Sequence, residues 1–236
     1  MLTLLSRALL APAARALYRP RVIGRDNVPR TGRVLLASNH LSFIDSVVLT
    51  LVAPRTVSFL AKSDYFTGEG VKGRLSRGFF TAIGAIPVER AVGQAAQDAL
   101  DAGLAVLERD EAFAIYPEGT RSRDGRIYKG KTGAAWLAMS SSSLIVPVAL
   151  TGTQELQPVG SKLPRLHRVT VEFGRPIDAS EYGQANSARA RRRLTDVVMD
   201  DIQRMSGQEK ANAYNEVPAA TPLEKVKRAF GRNRPS

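Results

Sequence analysis

Cysteine is absent, and only two histidines, His40 and His167, occur in 236 residues. The first absence excludes disulfide frameworks and thiolate chemistry. The second leaves a histidine-rich metal centre without ligands, so no metal is expected. Aromatic residues make up 6% of the chain, which argues against gripping single-stranded nucleic acid by base stacking. Glycines spaced as GxxG occur at Gly70 and Gly73 and at Gly130 and Gly133. No RNP-type or zinc-finger signature accompanies them, and no nucleic-acid partner is expected. Long apolar runs are missing too. The first twenty residues, MLTLLSRALLAPAARALYRP, are interrupted by Arg7, Arg15 and Arg19, too short and too charged for a bilayer span.

Acid is scarce beside base, with 34 Lys and Arg against 22 Asp and Glu and a formal charge of +12. By charge alone, anionic partners follow: nucleic acid, phosphorylated small molecules or an acidic lipid surface. A chain of this length supports one substantial core and reads as one domain. On a helical wheel Leu2, Leu5, Leu9, Ala13 and Ala16 share a face opposite Arg7. That pattern is an amphipathic, interfacial helix over 1–20, bent or ended by Pro12, and packing on its own domain is the competing reading.

Beyond it, apolar runs at 33–37, 56–61, 82–88, 112–116, 144–151 and 169–173 read as strands, with helical patterns at 45–54, 94–109, 133–139 and 178–205 between or after them. The alternation predicts an α/β fold: a single domain over 21–205 with a central, mostly parallel or mixed sheet flanked by helices. Pro147 falls inside a strand, and an edge position, a bulge or a wall beside a substrate chain would suit it. Residues 206–236 read as a basic, loosely ordered tail.

The chain is organised around Ser38-Asn39-His40-Leu41-Ser42-Phe43-Ile44-Asp45. A buried strand precedes this octapeptide, and Ser42-x-x-Asp45 resembles the capped start of a helix. His40 is then a turn residue. On a continuous helix five residues turn through about 500°, which separates the two side chains; a turn histidine removes that objection. Neutral imidazole takes a proton from a hydroxyl near neutral pH, and Asp45 can orient the ring. No serine or cysteine nucleophile is needed if the substrate brings the hydroxyl. A capping carboxylate beside a loop histidine is the plain alternative.

Residues 119–133 hold five basic side chains, one acid and four glycines, a composition suited to phosphate or to a solvated loop. Gly125-x-x-x-x-Gly130-Lys131-Thr132 also matches the P-loop pattern. A P-loop leaves its strand at the first glycine, however, whereas here the preceding strand ends at Tyr116. His167, between Arg165 and Arg168, reads as a surface residue.

Four segments together carry a resemblance. Asn39-His40-x-x-x-x-Asp45, Gly84 to Arg90, Pro117-Glu118-Gly119-Thr120-Arg121-Ser122 and Val146-Pro147 resemble, in order and spacing, four motifs of the glycerolipid acyltransferase family. The likeness is greatest to bacterial 1-acylglycerol-3-phosphate acyltransferases and covers roughly residues 20 to 205. It implies a glycerol-3-phosphate acyltransferase-like fold and acyl transfer to the free hydroxyl of 1-acylglycerol-3-phosphate, giving phosphatidic acid. Glycerol 3-phosphate, another lysophospholipid or a glycolipid is the alternative acceptor, and a nonenzymatic acidic-lipid-binding protein the alternative class.

By the same resemblance His40 is the general base and Asp45 its orienting carboxylate. Arg90, Glu118, Gly119, Thr120 and Arg121, with Lys62 as a further candidate, bind the acceptor's phosphate. Pro147 is structural, near the acyl or acceptor site. No cofactor is implied beyond acyl-CoA or acyl-carrier protein as co-substrate. The implied partners are a phosphorylated lysolipid, the thioester donor and an anionic membrane surface. The implied place is the cytoplasmic face of the cell membrane, peripheral or monotopic. Tyr116 stands where phenylalanine is common, which preserves an aromatic wall.

Overall fold

The structure, a computed structural model, describes residues 12, 15–88, 95–161 and 163–216. In chain order the elements are β1 (Arg21–Ile23), β2 (Val34–Ser38), α1 (Asp45–Val52), β3 (Val57–Lys62), α2 (Gly70–Ala82), β4 (Ala85–Val88), α3 (Ala95–Leu107), β5 (Ala112–Ile115), α4 (Gly133–Ser140), β6 (Leu144–Thr151), α5 (Thr153–Leu156), β7 (Thr170–Phe173), β8 (Ile177–Asp178) and α6 (Ala188–Ser206). The described strands form one sheet in the order β1-β7-β6-β2-β5-β3-β4, with β8 also beside β6. β6, β2, β5, β3 and β4 run parallel, and β7 and β8 are antiparallel to β6. The sheet is therefore mixed around a parallel centre, as the alternation of apolar runs predicts.

Two-residue periodicity divides the side chains between the faces. From β2, Val34 and Leu36 join a core with Val48, Leu49 and Val52 of α1 and Phe80 of α2. Leu35 and Ala37 join a second core with Leu107, Leu137 and Leu194 from α3, α4 and α6. Because β2, β5, β3 and β4 are parallel, their carboxyl ends share one edge. That is where open α/β sheets place ligands.

Three expectations change. β6 lies inside the sheet, between β2 and β7, so Pro147 is not on an edge strand. Its carbonyl accepts from Gly174 N–H at 2.8 Å, in the gap between β7, which pairs with Val148 to Thr151, and β8, which pairs with Leu144 and Ile145. Since N–H and C=O of one strand residue face the same side, the missing proline N–H falls where the ladder is already interrupted. The helix expected from residue 178 begins ten residues later. Asp178 instead caps a 3-10 turn over Ala179–Tyr182, and Ser187 caps α6 by accepting from Ala190 N–H.

The segment read as a tail is anchored over its first part. Ile127 N–H donates to Glu209 O, Ala211 N–H to Ile127 O and Lys129 N–H to Ala213 O. Residues 217–236, and most of the amphipathic helix expected over 1–20, lie outside the described residues. Among the described residues, no helix is long and apolar enough to cross a membrane.

Candidate active site

β2 ends at Ser38 and α1 begins at Asp45, which leaves His40 in the turn between them. The turn is fixed by polar groups that its own sequence supplies. Asp45 Oδ2 accepts from His40 Nδ1 at 2.8 Å, from Leu41 N–H at 2.7 Å and from Ser42 N–H at 2.8 Å. One carboxylate thus closes the turn and orients the ring. Half of the expected capping box is present. The Ser42 hydroxyl does not cap the helix but donates to Gln157 O at 2.7 Å. Asp45 is fully buried and the His40 side chain is 18% exposed; Asp45 Oδ1 is buried without a hydrogen-bond donor.

The imidazole is also held by its face. Tyr116, just past the end of β5, stacks on it with ring centroids 3.9 Å apart and planes 14° from parallel. The Tyr116 hydroxyl shares a 2.7 Å hydrogen bond with Ser46 Oγ. Burial, then the nearby Asp45 carboxylate, pushes the phenol's pKa well up, so it remains neutral. The first turn of α1 therefore sets the imidazole twice, through Asp45 at the ring edge and through Ser46 and Tyr116 at its face. Ser46 had no sequence signal of its own.

Asn39 ties this turn to the rest of the sheet. Its amide exchanges two bonds with the Leu150 backbone, donating to the carbonyl at 2.9 Å and accepting from the N–H at 2.7 Å. The same amide nitrogen donates to Gln208 Oε1 at 2.7 Å, and Gln208 Nε2 donates to Gly125 O at 2.7 Å. Gln208 thus links the histidine turn to the loop that follows β5. Sequence reading missed it because its partners lie 169 and 83 residues away.

Glu118 does not fit its expected place at a phosphate. It is fully buried and bridges two backbone donors, His40 N–H to Oε1 and Tyr128 N–H to Oε2, each at 3.0 Å. Burial pushes its pKa up to about 7, against the lowering effect of those two bonds. A buried carboxyl spent on backbone clamps two loops together and presents nothing to an anion. Ser122 N–H, donating to His40 O at 2.7 Å, closes the same junction.

Gly119, at φ +77°, turns the chain. Its N–H already donates to Tyr116 O at 2.9 Å, which removes it as an oxyanion donor. Its missing Cβ leaves room for Lys131, whose Nζ would stand 3.1 Å from such an atom. Lys131 is therefore brought to the 117–121 turn, a placement that sequence spacing did not show. Neither Lys131 nor the exposed Arg121 makes an ion pair with a described residue. Lys62, at the end of β3, pairs with Asp64. It sits on the same sheet edge two strands from β2, about 10 Å across at the usual strand spacing. Thr120 is half-buried, its carbonyl held by Asn215 Nδ2 at 3.3 Å. Arg90 lies outside the described residues, two positions past the end of β4.

The P-loop reading fails on the backbone. N–H groups of Arg126, Ile127, Tyr128, Lys129 and Lys131 are given to Asp124, Glu209, Glu118, Ala213 and Pro117, so they cannot cradle a phosphate. Burial pushes the Asp124 carboxyl up, and hydrogen bonds from Arg126, Tyr128 and Ser122 together outweigh it and hold the group well below the carboxylate range. Among the described residues, no group of three or more His, Cys, Asp or Glu side chains is placed to hold a metal.

An apolar cavity of about 470 Å³ opens on the α1 face, its wall starting at Phe43 and Ile44, three residues past His40. Val47, Val48, Leu51 and Val52 continue it along α1, and Phe79, Ile83 and Leu156 are among the residues facing them. Such a volume and lining suit an apolar ligand.

The carboxyl edge of an α/β sheet thus carries a histidine oriented by a buried aspartate. Residues 19–151 match the family model described as Acyltransferase, and the chain belongs to that family. It is 29% identical over 177 residues to the chloroplastic 1-acyl-sn-glycerol-3-phosphate acyltransferase of Arabidopsis thaliana, covering 74% of this chain and 48% of that protein. A 1-acyl-sn-glycerol-3-phosphate acyltransferase from Limnanthes douglasii is 32% identical over 151 residues, 64% of this chain and 52% of that protein. The chain thus spans about half the length of these curated relatives. Its fold matches the crystal structure of the 1-acyl-sn-glycerophosphate acyltransferase of Thermotoga maritima with a TM-score of 0.61 at 23% identity, over 85% of this chain and 81% of that one.

Proposed function

We propose that the protein transfers an acyl chain from a thioester, acyl-CoA or acyl-carrier protein, to the free hydroxyl of 1-acylglycerol-3-phosphate, giving phosphatidic acid. The observation that carries this reading is the 2.8 Å contact between His40 Nδ1 and a buried Asp45 oxygen that already has two backbone donors. A carboxylate so occupied accepts only, so the proton sits on Nδ1 and leaves Nε2 as the basic nitrogen. Nε2 takes the acceptor's hydroxyl proton as the oxygen attacks the thioester carbonyl carbon. The tetrahedral adduct collapses, the carbon–sulfur bond breaks, and the thiolate leaves with the proton held by His40.

Arg121 and Lys131, cations without a described acidic partner, are the proposed contacts for the acceptor's phosphate, joined by Arg90 from the end of β4. Lys62 would have to exchange Asp64 for the phosphate. The apolar cavity is the proposed seat of an acyl chain, beginning within one turn of α1 from the base. Work at the cytoplasmic face of the cell membrane, peripheral or monotopic, is part of the same proposal, supported by the apolar cavity and the excess of base.

The test is His40→Ala, assayed for thioester consumption over lysophosphatidic acid, glycerol 3-phosphate, lysophosphatidylinositol and a glycolipid. Turnover falls by about a thousandfold or more, as expected for loss of a general base, while lysophospholipid binding persists. Undiminished activity would sink the assignment, and preference for an acceptor lacking phosphate would redirect it.

A further inference from the structure

α2 shows the solvent a face that a folded domain ordinarily hides. Val71, Leu75 and Phe79, spaced four residues apart, are 63%, 69% and 43% exposed. At 100° per residue they occupy one stripe about 80° wide. The opposite face carries the packing: Gly73 is buried against Gly68, and Phe80 stacks on Tyr65 with centroids 4.6 Å apart. Lys72 flanks the apolar stripe on one side and Arg74 on the other, while Arg77 lies toward the opposite face; all three are exposed. Acidic side chains are absent from the helix between Gly70 and Ala82.

The stripe does not end at the helix. Phe79 lines the apolar cavity, as do Phe43 and Leu17, and these two are 39% and 60% exposed. Residues that both line a cavity and face solvent form its mouth. Across that mouth Pro164 lines the wall, with Leu163 and Leu166 beside it 76% exposed. Apolar side chains from four separate segments thus border one opening, and cations border the stripe leading to it.

We propose that this surface, α2 and the rim of the cavity, docks on the face of an anionic lipid bilayer, with Val71, Leu75 and Phe79 seated below the headgroups and the cavity opening toward the acyl chains. Charge complementarity selects this occupant over an uncharged apolar partner. Lys72 and Arg74, one on each side of an apolar stripe, match anionic headgroups above hydrocarbon, and each contributes at the surface of an acidic leaflet. The surface rests on the function proposed above only for the lipid nature of the substrate, because docking is read without turnover.

The chain has no cysteine, so an environment-sensitive fluorophore can be placed at one site in the full-length protein. Leu75→Cys tests the stripe, and Val197→Cys, 38% exposed on α6 across the sheet, serves as control. With vesicles of phosphatidylcholine and phosphatidylglycerol the label at 75 shifts to the blue and the label at 197 does not. Val71→Ser with Leu75→Ser weakens vesicle binding about tenfold without changing the far-ultraviolet circular dichroism. Lys72→Gln and Arg74→Gln together weaken it about tenfold on anionic vesicles and not on phosphatidylcholine alone.

Equal response at 75 and 197, or no loss of binding in the serine variant, overturns the proposal. So does a label at 75 that is already in an apolar setting without vesicles. Independence from protein concentration would then assign the cover to another segment of the same chain, and dependence on it to a second copy. His40→Ala retains docking if the surface is right. Docking without acyl transfer therefore refutes the function alone, and acyl transfer to detergent-dispersed acceptor without docking refutes the surface alone.

Discussion

The turn around His40 and the cavity beside it share α1, yet they are built from opposite materials. In the turn Ser38, Asn39 and Asp45 are fully buried, and each spends its side chain on a named partner. Two residues further along the helix, Val47, Val48, Leu51 and Val52 offer the cavity hydrocarbon only. A helix of eight residues therefore carries a polar first turn that aims a base and an apolar remainder that walls a chain-shaped space. Under the proposed function the ester bond forms at their junction, and the position of the base relative to the chain is set by one rigid element. Fixed polar geometry costs desolvation at every group left without a partner, whereas an apolar wall tolerates changes of shape. Substitutions on the two sides should therefore fail in different ways.

The largest effect is expected at Asp45. Asp45→Asn presents an amide where His40 Nδ1, Leu41 N–H and Ser42 N–H all need an acceptor. Its NH₂ faces donors or its oxygen serves only part of them, and the ring loses the tautomer that frees Nε2. A fall of about 10³- to 10⁴-fold in kcat is expected from the behaviour of comparable histidine–carboxylate pairs. Thioester consumption at saturating lysophosphatidic acid measures it; a loss confined to KM would separate Asp45 from the chemistry.

Glu118 tests the clamp rather than the base. Its carboxyl titrates near 7 in the fold and near 4.5 when free. A raised acid pKa means that the folded state favours the protonated form. The corresponding stability is complete below pH 4.5 and is lost as pH rises through 7. The interval between the two values corresponds to at most about 3 kcal/mol. Glu118→Gln does not titrate. Urea unfolding at pH 5 and pH 8 should then show the wild type losing stability relative to the variant by up to that amount. A pH-independent difference would show that the carboxyl is not desolvated as the structure places it.

Much of this contrast was legible in the chain. The apolar run before Ser38 and the Ser42-x-x-Asp45 spacing located the turn, and a turn histidine followed by a carboxylate predicted the pair. Direction was not legible. Glu118 stands in a segment rich in phosphate-suited residues, but its donors come from His40, 78 residues earlier, and Tyr128, ten later. Composition is the same for a ligand and a clamp. Of the settings open to Pro147 only the edge is excluded, because a proline excludes a ladder bond but does not say which flank of the strand lacks its neighbour; the break between β7 and β8 supplies that flank. The anchored stretch after Gly207 escaped because its partners lie far off in the chain: the backbone of Ile127 and Lys129, Asn39 and Gly125 for the Gln208 side chain, and Thr120 for Asn215.

On the apolar side the effect should be smaller and selective. Val47→Phe puts a ring into the cavity, whose open volume spares the core the usual strain of overpacking. Turnover with short-chain thioesters is expected to persist, while the ratio of long-chain to short-chain turnover falls by about tenfold, the order associated with one or two misplaced methylenes. An unchanged ratio would place the acyl chain elsewhere.

The smallest effect is expected at Gln208, where the two loops around the site are joined from outside the matched family region. Gln208→Ala leaves one Asn39 amide proton without its 2.7 Å partner and frees Gly125 O. Asn39 keeps both bonds to Leu150, and Gln208 is only half-buried, so water can replace part of the loss. About 1 kcal/mol of stability should go. Hydrogen exchange should quicken at the Ile127 and Lys129 amides, which donate to Glu209 and Ala213 of the same segment. The Leu150 amide, paired to Asn39 on the β6 side, should exchange as before. If all three amides quicken together, Gln208 holds the sheet end as a whole, and the histidine turn is less independent of the loop than its own hydrogen bonds imply.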